Sequence, residues 1–143
     1  MNNMIHKFVW LMTLSTVSVV FVAHGSGALD GSKWRVAVVP AKEAAAKGEK
    51  PFVDQLIFED GKVTSTACQK YGYTASAYSV EAKPALVNWK TEQTSTKQGM
   101  GKTQWSGSVQ INRIEGKMIW HKADGTDLEY SFSGERMVLD EPL

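Results

Sequence analysis

The chain is short of several things that would announce a chemistry. It has one cysteine, Cys68. No internal disulfide can form, so packing alone must hold the domain. It has three histidines, and two of them, His6 and His24, fall in the N-terminal segment. Only His121 is left for the folded part, with Asp124 and Asp127 nearby in sequence. One histidine and two aspartates at a hairpin end are a weak metal pattern, and no metal or cofactor is expected. There is no Gly-x-Ser-x-Gly elbow, and Cys68 has no histidine near it in sequence. Gly99-Met100-Gly101-Lys102-Thr103 lacks the earlier glycine and the following helix of a phosphate loop. The chain therefore reads as no enzyme. Lys+Arg 16 against Asp+Glu 15 leaves no basic footprint for nucleic acid and no polybasic membrane patch.

What is present begins with an export signal. Lys7, with the N-terminal amine and His6, makes a short basic start. Phe8 to Ala23 is an apolar run of about 16 residues, below the roughly 20 that a spanning helix needs. Ser26 and Ala28 suit the −3 and −1 positions of a signal peptidase site, which predicts residues 1–28 as a signal peptide cleaved before Leu29. Cleavage after Gly25 is the next choice, and a retained anchor is the competing reading. The sequence offers no second apolar stretch. The expected product is a secreted or periplasmic domain, residues 29–143, with no membrane attachment after cleavage.

From residue 33 onward the apolar period is close to two, broken by short turns. Trp34, Val36 and Val38 alternate with Arg35 and Ala37. Asp60-Gly61 is a strong hairpin signal, and Pro84 marks another turn. Trp105 to Ile111, Ile114 to Trp120 and Leu128 to Gly134 each have one apolar and one polar face, with turns expected at Asn112-Arg113 and Asp124-Gly125. Val63 to Ala67 reads as a strand. Ala41 to Lys47, ending at Gly48, is the one helical stretch. Thr94 to Gly101 reads as a flexible loop. The sum is an all-β fold: about eight strands in an antiparallel up-and-down β-barrel with one short helix after the first strand. A two-sheet sandwich is the alternative.

The chain resembles the lipocalin-like, or calycin, barrels on two features. One is Gly31-Ser32-Lys33-Trp34, a glycine shortly before a tryptophan that opens the first strand. The other is Phe132-Ser133-Gly134-Glu135-Arg136, a last strand ending in arginine. The lipocalin pattern has one residue between glycine and tryptophan, and here there are two. The resemblance implies barrel closure at Trp34 and Arg136, with the guanidinium stacked on the indole, and binding of small apolar molecules inside. The chain is also similar to small exported bacterial proteins of unassigned function that carry hairpins like Trp105-Ser106-Gly107 and Asp124-Gly125-Thr126.

Aromatic side chains on the inward parity are the distinctive feature. Two readings stay open. In one, Tyr78, Trp89, Trp105, Trp120 and Tyr130 wall a pocket for a small apolar or aromatic ligand, with room left by Gly107, Gly116, Gly134 and Thr91. In the other, aromatics fill the barrel, and a protein-binding or inhibitory module meets its partner outside, through the Thr94–Gly101 loop or an open rim. No particular ligand, protein partner or oligomeric state follows from the sequence.

Overall fold

A computed structural model describes residues 27–138; the expected signal peptide lies outside the described residues except for its last two positions. The elements run β1 (Ser32–Pro40), α1 (Lys42–Ala46), β2 (Phe52–Glu59), β3 (Lys62–Ser65), α2 (Thr66–Gln69), β4 (Ser76–Lys83), β5 (Leu86–Thr94), β6 (Lys102–Gln110), β7 (Arg113–His121) and β8 (Asp127–Arg136). Each strand pairs antiparallel with its sequence neighbour, and β1 pairs with β8, so the eight strands close into an up-and-down barrel. The sandwich alternative is excluded, and the architecture is compatible with a calycin-like fold.

Local chemistry explains the connections at one end. Asp60 and Gly61 both have positive φ (51° and 71°), the type I′ turn whose twist matches its flanking strands. Pro84 fixes the first corner of the β4–β5 turn, and Ala85 takes the second at φ 61°. The β6–β7 turn differs from the sequence reading. Gln110 pairs with Arg113, so Ile111 and Asn112 form the corner and Arg113 starts β7. Ile111, expected on the inward face, instead stands 81% exposed with φ 55°.

The other end carries the longer connections. The chain from β3 does not continue as a strand to Ala67. It turns at Ser65 into α2, with the Ser65 hydroxyl accepting the Cys68 N–H (3.2 Å). The residue 95–101 loop is pinned down: the Met100 carbonyl accepts both the Tyr73 hydroxyl and the Trp120 indole N–H, each at 2.6 Å.

Inward residues form a single core that includes Trp34, Val36, Val38, Phe58, Trp89, Trp105, Ile114 and Phe132. Burying each large side chain contributes about 1.5–3 kcal/mol, which offsets the ordering cost without a disulfide. Trp34 and Arg136 stand directly opposite each other in the β1–β8 register. The expected stack of guanidinium on indole is not formed. Trp34 is buried and donates its N–H to Ser32 Oγ (2.8 Å), while Arg136, at the end of its strand, turns to solvent. Closure therefore rests on the backbone ladder and apolar packing.

Candidate functional site

The side chains inside the barrel are closely packed. Tyr78, Phe58, Trp89, Phe132 and Trp105 form a continuous chain of ring contacts. Phe58 meets Tyr78 and Trp89 edge-on at centroid distances of 5.0 Å, and Phe132 lies 6.0 Å from Trp89 and 5.4 Å from Trp105. Such pairs contribute about 0.5–1.5 kcal/mol each beyond area burial. The space over two of the inward glycines is taken. A Cβ on Gly107 would lie 2.9 Å from Phe132 Cζ, and one on Gly116 would lie 2.8 Å from the same atom. The facing backbone lies nearer still, Glu115 O for Gly107 and Ser106 O for Gly116, so these glycines admit both the close approach of β6 and β7 and the Phe132 ring.

The five residues expected to wall a pocket separate into groups. Trp89 and Trp105 meet through Phe132, and Tyr78 joins them through Phe58. The Tyr78 hydroxyl donates to Asp30 (2.6 Å), ahead of β1, while the Tyr130 hydroxyl donates to Glu49 (2.8 Å), between α1 and β2. The two hydroxyls thus serve opposite ends of the barrel. Trp120 is half-buried at the end with the long loops, with Lys122 Nζ 5.2 Å from its ring centre. Desolvation, then the adjacent carboxylate, raises both tyrosine hydroxyls well above their ordinary range. Burial likewise pushes the Cys68 thiol up to about 11, which leaves it a poor nucleophile at neutral pH. Two interior groups have no partner among the described residues: the indole N–H of Trp89 and that of Trp105.

A buried polar set was missed by the sequence reading. Asp54 is buried, and its carboxylate accepts from Ser65 Oγ (2.5 Å), Thr66 Oγ1 (3.2 Å) and the Ala67 N–H (2.9 Å), fastening α2 to β2. Gln93 is also buried and donates to the carbonyls of Val63 and Thr74, both at 3.2 Å. A signal was available: Asp54 breaks the inward run Phe52, Leu56, Phe58, and Gln93 follows Trp89 and Thr91 on the inward parity.

Outside the barrel, a groove of about 760 Å³ begins at the Asp60-Gly61 turn and crosses β4, β5 and β6 to Ile119 on β7. Small side chains, Ala77, Ser79 and Ser106, leave it low, and Lys62, Lys90, Glu92 and Gln104 also line it. Lys62 and Lys90 have no ion-pair partner among the described residues, whereas Glu92 is paired with Lys102 (3.3 Å). Hydrogen bonds from Gln104 and then Lys102 hold the Glu92 carboxyl below the usual carboxylate range. The row continues from Gln104 Oε1 to His121 Nε2 (2.8 Å) and from His121 Nδ1 to Asp127 Oδ1 (2.6 Å). No protein-family model matches the chain, and neither a curated protein nor a solved structure matches it. The class that the fold defines is thus a small closed antiparallel barrel.

Proposed function

We propose that the chain after Ala28 is an exported, non-enzymatic binding module whose barrel is a packed scaffold and whose partner is a protein. The partner meets the outer groove floored by Ala77, Ser79 and Ser106. The observation that carries this reading is the Phe132 ring in the space beside Gly107 and Gly116, which turns the apolar interior into core. Lys62 and Lys90, without an ion-pair partner among the described residues, outnumber the equally unpaired Asp60 in the groove and favour a partner segment bearing acidic side chains. The test is a photo-crosslinking residue placed at Ser79, compared with one at Val53 on the exposed face of β2, in cells of the native host. A protein adduct from position 79 and none from 53 is the expected result. Equal labelling at both positions rejects the groove.

A second reading keeps the calycin-like function, a small apolar or aromatic ligand inside the barrel. It is favoured by the unpartnered indole N–H groups of Trp89 and Trp105, which an acceptor atom of a guest would satisfy. Native mass spectrometry of the protein from its own host decides it. A retained small molecule that quenches tryptophan fluorescence and raises Tm supports the ligand and removes the filled-scaffold reading.

A further inference from the structure

We infer that protonation of His121 fixes the sense of the Gln104 amide and, through it, the hydrogen bonding of Glu92 on the groove wall. This rests on the groove as the binding surface and assigns its regulation. The row crosses four strands: Lys102 and Gln104 on β6 bond Glu92 on β5, and Gln104 meets His121 on β7, which meets Asp127 on β8. Ionised carboxylates accept and never donate. Glu92 therefore takes the amide N–H of Gln104 (Nε2 to Oε2 2.8 Å), which turns the amide oxygen toward His121. Asp127 takes the N–H at Nδ1. Every acceptor in the row is satisfied only when both ring nitrogens carry protons.

A neutral imidazole has one N–H, and Asp127 keeps it. The bare Nε2 then faces the Gln104 oxygen, acceptor against acceptor. The amide relieves this by rotating to donate to Nε2, which points its oxygen at the Glu92 carboxylate. Glu92 is left with Lys102 alone and its second face opens to the groove. The other charged groups around the row do not substitute for Gln104. Lys117 is tied to Glu129 (2.9 Å), and Lys122 lies over Trp120. Asp124 accepts from the Thr126 N–H, and Lys90, two residues from Glu92 on β5, makes no ion pair with it. Loss of the His121 proton thus adds a free acceptor to the wall that an acidic segment would approach, and binding of such a segment weakens as pH rises through that step.

The test is NMR of the isotopically labelled protein from pH 5 to pH 8.5, following the His121 ring nitrogens, the Gln104 side-chain amide and the Glu92 carboxyl carbon. The ring nitrogens, the Gln104 amide and the Glu92 carboxyl should all move with one midpoint. In Gln104→Leu, a change on the exposed face, Glu92 should stop reporting the His121 titration. A Gln104 amide that stays fixed while the ring titrates overturns the relay. So does a Glu92 signal that follows His121 equally in Gln104→Leu. Neither readout involves a partner, so a failed relay leaves the groove standing, and only crosslinking at Ser79 can reject the groove itself.

Discussion

The wall made by β6, β7 and β8 and the seam between β2, β3 and β4 solve the same problem by different means. In the wall the ladder is long: Lys102 to Gln110 pairs with Arg113 to His121 without a break, and Arg113 to His121 pairs in turn with Asp127 to Glu135. At the seam β3 and β4 share only the pairs Lys62↔Ala77 and Val63↔Ser76. Side chains make up the difference. Asp54 holds α2, Gln93 takes the Val63 and Thr74 carbonyls, and Asp30 accepts the Gly61 N–H and the Tyr78 hydroxyl. Backbone pairing is generic and asks only for parity and turns. The seam depends on particular polar groups whose loss leaves buried partners unmet.

The largest effect is expected at Gly116, where backbone and ring both close on the wall. A Cβ on Gly116 would collide with the Ser106 carbonyl oxygen and with Phe132 Cζ. Gly116→Val should therefore cost more than about 4 kcal/mol, by overpacking that backbone cannot relieve. Circular dichroism and denaturant melts check it. A folded variant within about 1 kcal/mol of the parent would mean that the β6 backbone at Ser106 and the Phe132 ring both yield easily, and that the interior has room after all.

Next comes the seam. Asp54→Ala removes one acceptor shared by Ser65, Thr66 and the Ala67 N–H, with an expected loss of about 3 kcal/mol. Hydrogen exchange should show α2 opening while the β6–β8 amides keep their protection. Uniform loss of protection would show that the two regions unfold as one unit.

Alkali should act on the seam in the same way. Cys68 lies in α2, and burial raises its thiol from 9.0 to about 11. The folded state keeps a proton that the unfolded chain releases, so this stability is intact below about pH 9 and is lost as pH rises to about 11, some 2–3 kcal/mol in all. Tyr78 and Tyr130, also raised, continue the fall above about pH 10. Cys68→Ala should lower neutral stability modestly and flatten the first limb of the curve. An unchanged slope between pH 9 and pH 10 would show that the thiol is not buried in solution.

The same contrast explains what the sequence could reveal. Parity and turn chemistry made the wall readable: Leu128, Tyr130 and Phe132 do face inward, and Asp60-Gly61 does form its hairpin. Closure followed from eight alternating segments. α2 was missed because Val63 to Ala67 has strand composition, and what ends the strand is Asp54, a side chain eleven residues before Ser65. The aromatic residues were legible as inward, but their packing was not. Glycine leaves the same mark in a sequence whether it makes a pocket or admits a ring, and only the positions of Phe132 and of the facing backbone distinguish the two. The groove carries no local signal, since it arises from small outward residues on separate strands.

The smallest expected effect has the opposite sign and sits at the tip of the wall. Ile111 holds φ 55° with its side chain 81% exposed. A β-branched residue in the left-handed region is an outlier, and that conformation costs an L-residue about 1–2 kcal/mol. Its exposed side chain returns little through burial. Ile111→Gly removes the strain, while the freer glycine backbone gives back about 0.5–1 kcal/mol to the unfolded state. The net expectation is a gain of roughly 0.5 kcal/mol, seen as a higher midpoint with an unchanged slope in urea. A loss of stability on this substitution would mean that the Ile111 side chain has a packing partner in solution, and the tip would then have to be counted with the seam, as a place held by one particular side chain.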